Sequence, residues 1–190
     1  MNTTAFLVTG QEFRFRKKIA RFRQLLEKSD CTVEIVSAHS PFFLKELRAA
    51  IAKTSDDSVF LYAFHGHGNP FGYEGGAGYT DLAIILSKVK GKLLIINDTC
   101  YGLVFLEYIQ TRRKDPEKNC FISPWDSARE CYGGPVADAL QFWQDSKIVE
   151  DCISGNIHSS DQGDVEVPIQ QHWGSRFEHY FFPKNKQLPS

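Results

Sequence analysis

An α/β fold built on a mostly parallel sheet, with helices on both faces, is what this 190-residue sequence predicts. Three observations predict it. Two near-continuous apolar runs, Val59–Phe64 and Leu93–Ile96, read as strands covered on both faces. Strand signals alternate along the chain with segments of helical spacing, which implies right-handed crossovers between parallel strands. No internal repeat, low-complexity tract or linker interrupts the alternation, and the length suits a single domain with a substantial core.

The elements follow in order. Ala5–Val8 is an apolar run closed by Thr9-Gly10, a first strand and its turn. Gln11–Lys28 is helical, because Phe15, Ile19, Phe22 and Leu26 fall on one stripe. Cys31–Val36 holds β-branched residues and reads as a second strand. Pro41 suits the first turn of the next helix, whose stripe is Phe43, Leu47, Ala50 and Ile51. Ser58–Phe64 is the third strand, and the glycine-rich stretch Gly66–Gly78 is a loop. Thr80 and Asp81 open a helix carrying Leu82, Ile85, Leu86 and Val89, which Gly91 ends. Lys92–Asn97 is the fourth strand, and a helix starting near Tyr101 carries Leu103, Leu106 and Ile109. The polar run Arg112–Asn119 breaks that helix before a fifth strand, Cys120–Ser123. Gly134-Pro135 opens a helix with Val136, Leu140 and Trp143 on one face. Arg176–Phe182 is a last strand stopped by Pro183, so the domain runs over 1–183 and residues 184–190 are a frayed tail.

Composition narrows the class. The apolar content of 42% and charged content of 24% are ordinary for a globular protein. A net charge of −1 gives no global attraction to nucleic acid or to an anionic membrane, so neither is expected as a partner. The start lacks the charged and apolar regions of a signal peptide, and no stretch reaches bilayer-spanning length. The five cysteines are Cys31, Cys100, Cys120, Cys131 and Cys152; they are odd in number and free of paired short spacing. That argues against a disulfide framework or a structural zinc knuckle, and free thiols in the cytoplasm are the expectation. The run Arg14, Arg16, Lys17, Lys18, Arg21, Arg23 reads as the solvated face of the first helix.

The chemistry lies where two strands end. The third strand runs into His65-Gly66-His67-Gly68, and the fourth into Asp98-Thr99-Cys100-Tyr101-Gly102. In an open α/β sheet, functional groups collect at the carboxyl ends of the strands. A thiol beside an imidazole is the minimal kit of a cysteine hydrolase. A neighbouring imidazole or a helix N-terminus would lower the Cys100 thiol pKa, although a free cysteine is more often a buried structural residue. Strand alternation puts Asp98 and Cys100 on one side, while Asp98 is equally suited to capping the helix that follows.

These residues resemble the caspase-like cysteine peptidases, a group that includes caspases, metacaspases, legumains and gingipains. Phe60–Gly68 is similar to the metacaspase strand that ends in Ser-Gly-His-Gly, with His65 in place of the serine. Asp98-Thr99-Cys100 is similar to the metacaspase Asp-Ser-Cys, and Val167–Gly174 followed by Phe181–Pro183 to the segment before the last strand. The chain is shorter than most members of the group and has no evident prodomain. The resemblance implies a three-layer sandwich around a six-stranded, mostly parallel sheet. It implies an endopeptidase in which Cys100 is the nucleophile and His67 the general acid/base, with His65 the alternative. The backbone N–H groups of Gly68 and Cys100 would form the oxyanion hole, and Asp98 would hold a basic P1 side chain. Protein or peptide would be the substrate, no cofactor or metal would be needed, and a homodimer or a regulatory protein partner is compatible with the group. Self-cleavage after Arg112, Arg113 or Lys114 would suit such an enzyme.

Two other readings stand beside this one. The His65-x-His67 pair is spaced to share a metal on an extended segment, as in a metal-dependent hydrolase, but Asn69 and Pro70 replace the further ligands such motifs carry. A caspase-like fold can also serve as a non-catalytic interaction module. Asp161, Asp164 and Glu166 lack calcium-loop spacing and read as an ordinary acidic loop.

Overall fold

The computed structural model describes residues 3–28, 31–113 and 119–122. Their elements are β1 (Thr3–Thr9), α1 (Phe13–Lys28), β2 (Thr32–Ser37), α2 (Phe43–Ala52), β3 (Val59–His65), β4 (Gly68–Asn69), β5 (Gly72–Tyr73), α3 (Tyr79–Leu86), β6 (Lys92–Asp98), α4 (Gly102–Gln110) and β7 (Asn119–Ile122). Five strands form one sheet in the order β2-β1-β3-β6-β7, and all four neighbouring pairs are parallel. The expected α/β class and parallel sheet are therefore present. The expected last strand, 176–182, the helix opening at Gly134-Pro135 and the tail 184–190 lie outside the described residues.

Handedness distributes the helices. The chain steps from β1 to β2 in one direction along the sheet, then from β2 over β1 to β3 and on to β6 and β7 in the other. Right-handed crossovers therefore put α1 on one face and α2, α3 and α4 on the opposite face. Burial agrees with this. Phe6, Val8, Phe60, Tyr62, Phe64 and Ile95 join the aromatic-rich core under α2, α3 and α4. The alternate residues Leu7, Ala63 and Ile96 face the other way, where α1 buries Phe15, Ile19, Phe22 and Leu26. The basic residues Arg16, Lys17, Arg21 and Arg23 of α1 are exposed, and Arg23 pairs with Glu27 one turn on at 2.6 Å.

Most element boundaries differ from the expectation by a residue or two, but α3 stops at Leu86, so Val89, expected on that helix, packs into the core from the segment after it. The strand β3 extends through His65, and β6 extends through Asp98. The helix α2 starts at Phe43, two residues past Pro41. The glycine-rich loop contains a short antiparallel hairpin, β4 with β5, whose two-residue strands give no periodic signal. Its turn is closed by Asn69, whose Oδ1 accepts from the N–H groups of Phe71 and Gly72 at 2.8 and 3.1 Å. The helix α4 buries Phe105 and Ile109, while the side chains of Leu103 and Leu106 lie outside the described set. No helix among the described residues is long and apolar enough to cross a membrane.

The order reverses between β1 and β3, the switch point where the chain ends of an open sheet diverge. Register aligns Thr9 with His65, and His65 with Asp98, along the carboxyl edge. The loops after β1, β3 and β6 therefore rise side by side from that edge.

Candidate active site

Cys100 stands in a sharp turn between β6 and α4 and is partly exposed. The residue after it, Tyr101, has φ of 58°, the only positive φ at a non-glycine among the described residues. A side chain in that region costs about 1–2 kcal/mol, and such strain concentrates at functional turns. The turn is braced from below. Asn97 Nδ2 donates to the Gly102 carbonyl at 2.9 Å, spanning the turn, and the Tyr73 hydroxyl donates to Asn97 Oδ1 at 2.6 Å. The Tyr79 hydroxyl, at the start of α3, donates to the Cys100 carbonyl at 3.4 Å. Burial raises the pKa of Tyr79, and the neighbouring Cys100 charge raises it further. Tyr79 thus stays a neutral donor to the Cys100 carbonyl.

Gly68 lies against this turn. A Cβ at Gly68 would overlap Thr99 Oγ1 and come within 2.8 Å of the Tyr79 hydroxyl and 3.0 Å of the Cys100 carbonyl oxygen. Only glycine allows the loop after β3 to approach so closely. The backbone of the His67-Gly68 loop and that of Cys100 are therefore immediate neighbours.

The two histidines occupy different environments. His65 is 1% exposed and sits at the end of β3. Its Nδ1 lies 2.6 Å from Asp98 Oδ2, and the Phe15 ring meets it edge-on at 4.9 Å. The contact is close but poorly aligned for hydrogen bonding, and both Asp98 oxygens are buried. Asp98 itself is fully buried. Strand pairing ends at Asp98 and the chain then turns, so the alternation expected to set Asp98 beside Cys100 stops short of the cysteine. What the strands bring to Asp98 is His65.

His67 is open, with its side chain 53% exposed. Its Nε2 lies 2.5 Å from Glu12 Oε1, and Phe15 flanks it edge-on at 5.0 Å. The His67 bond is the largest influence that lowers the Glu12 carboxyl pKa, and the Arg14 charge adds to it. Glu74 holds the His67 backbone on both sides. Its Oε1 accepts from the His67 N–H at 2.8 Å, and its own N–H donates to the His67 carbonyl at 2.9 Å. The other oxygen of Glu74 accepts from the Gln11 N–H and contacts His39 Nε2, both at 3.3 Å. One carboxylate thus gathers the loops after β1, β2 and β3.

Glu12 and Glu74 carry no functional signal in the sequence. Glu12 is 55 residues from His67, and no local motif marks either carboxylate. No group of three or more His, Cys, Asp or Glu side chains placed to hold a metal ion occurs among the described residues. Asp161, Asp164 and Glu166 lie outside them.

The connection after α4 is held at its start. Arg113 donates to the carbonyls of Val89 and Gly91 at 2.7 and 2.9 Å, and Arg112 donates to the Tyr108 carbonyl at 2.9 Å. Lys114 lies outside the described residues. No protein-family model matches the chain, and no curated protein matches it.

Proposed function

We propose that the chain is a caspase-like cysteine endopeptidase, with Cys100 as nucleophile and His67 as its acid/base partner. The observation that carries this reading is the close approach of Gly68 to Cys100, which joins the histidine loop to a strained cysteine turn. The strand order supports the six-stranded sandwich of that group, although doubly wound binding domains share the order, so the site carries the function.

The chemistry is acyl transfer. The Cys100 thiolate attacks the peptide carbonyl, forming a C–S bond. The carbonyl electron pair moves to oxygen, and the N–H groups of Gly68 and Cys100 stabilise the developing oxyanion. Protonated His67 gives its proton to the leaving amine as the C–N bond breaks. Water then attacks the thioester, its proton passes to His67, and the acid leaves. Exposure favours His67 over His65, because His65 is buried beneath Phe15 and against Asp98.

The carboxyl edge is acidic: Glu12, Glu74 and Asp98 all lie there, and Arg14 is paired with Glu12 at 2.6 Å. This supports Arg or Lys at P1, with Asp98 beneath the site rather than open to it. Cys100→Ala should abolish peptide hydrolysis and leave the melting temperature within a few degrees of wild type. Peptide hydrolysis by a pure Cys100→Ala protein would sink the assignment.

A further inference from the structure

We propose that Glu12 is the positioning residue of the Cys100–His67 pair: its carboxylate holds His67 Nε2 and so dedicates Nδ1 to the thiol. This inference rests on the peptidase reading above. A histidine that exchanges a proton with a thiol must present one ring nitrogen and have the other held. In this chain the holding group is a side chain from the loop after β1, brought to His67 by the β1–β3 pairing at the switch point.

The loop is built for that contact. The Gly10 N–H donates to the His65 carbonyl at 2.9 Å, and the Gln11 N–H donates to Glu74 Oε2 at 3.3 Å. Those two bonds fix the backbone immediately before Glu12. Arg14 Nε takes Glu12 Oε2 at 2.6 Å, which leaves Oε1 for His67. Glu74 fixes the His67 backbone from both sides, and Phe15 meets the His67 ring edge-on at 5.0 Å. The backbone on each side and one ring nitrogen are then set, and χ1 and χ2 of His67 are left little freedom. The groups facing His67 are Glu12 from the loop after β1, Phe15 from α1 and the Glu74 carboxylate at its backbone. A surface ion pair would ordinarily contribute little. Glu12 matters because it orients an imidazole, and only its effect through His67 is at issue.

The test is a double-mutant cycle read two ways: by steady-state kinetics on an Arg-P1 peptide, and by the rate of Cys100 alkylation with iodoacetamide at neutral pH, mapped by peptide mass. Glu12→Ala should lower kcat by about 10- to 100-fold with KM within twofold, the scale on which partners that orient a histidine act. It should slow alkylation as well. Glu12→Gln keeps an acceptor oxygen and should recover most of both rates. In the His67→Ala background, Glu12→Ala should slow alkylation no further. An equal slowing with and without His67, or a Glu12→Ala effect confined to KM, would overturn the proposal. Alkylation reports the Glu12–His67 coupling even if the protein cleaves no peptide. A protein that shows the coupling but hydrolyses nothing would fail the peptidase reading and leave this one standing.

Discussion

Tyr101 shows most clearly what a single residue does here. Its φ of 58° turns the chain abruptly after Cys100, so the thiol leaves the line of β6 and stands partly exposed. The left-handed conformation is open to glycine and hardest on a β-branched side chain. Tyr101→Val should therefore be less stable than Tyr101→Gly by about 1–2 kcal/mol, measured by urea unfolding. Equal stabilities would mean that the turn is not held in that conformation in solution. The candidate residues His65, His67, Gly68, Asp98 and Cys100 were legible in the sequence because each follows directly on a strand signal. Tyr101's strain was not, because tyrosine carries no local signal for positive φ. Glu12 and Glu74 escaped for a different reason. Their partners are set by strand order, and no periodicity encodes which loops will face one another.

At the scale of elements, the cysteine turn and the hairpin β4–β5 act as one unit through Asn97. Its amide is buried, takes the Tyr73 hydroxyl on one side and gives to the Gly102 carbonyl on the other. Tyr73 in turn stacks on Phe64 of β3, with ring centroids 3.5 Å apart, so the hairpin is fixed to the sheet. Asn97→Ala removes both bonds, and the buried Tyr73 hydroxyl loses its acceptor Asn97 Oδ1. A buried polar group that loses its partner costs about 1–3 kcal/mol, so the variant should lose about that much in urea unfolding. Amide hydrogen exchange should quicken at both the hairpin and the 98–102 turn. Faster exchange at the turn alone would show that the two are not coupled. The long elements were readable from apolar runs and stripes, with most ends shifted by a residue or two and α3 ending before Val89. The hairpin was not, since its strands are two residues each and its order comes from the Asn69 side chain. The run Arg112–Asn119 read only as a polar break after the helix, with no signal for what holds it. Arg112 bonds locally to the Tyr108 carbonyl of α4, but the bonds from Arg113 to carbonyls of the loop before β6 span more than twenty residues, which no local pattern encodes.

For the molecule as a whole, the aromatic core sets the alkaline limit of stability. Burial raises the pKa of Tyr62, Tyr73 and Tyr79 above that of a free phenol. The folded state keeps these protons where the unfolded chain begins to lose them, near pH 10. Stability is then fully present below that pH and falls as pH rises through and beyond it. Each tyrosine contributes a slope of about 1.4 kcal/mol per pH unit. The urea midpoint should drop steeply above pH 10, and the phenolate absorbance of these rings should appear together with unfolding. Phenolate absorbance from all seven tyrosines without unfolding would contradict the buried core. The sheet that this core supports brings the loop after β3 against the Cys100 turn. The most direct test of that claim is labelling of the wild-type chain with peptide acyloxymethyl ketones bearing Arg or Asp at P1, followed by peptide mass mapping. The expected result is one adduct per chain, on Cys100, formed faster by the Arg probe and lost in His67→Ala. Labelling spread over several cysteines, or equal labelling of the wild-type and His67→Ala proteins, would contradict it.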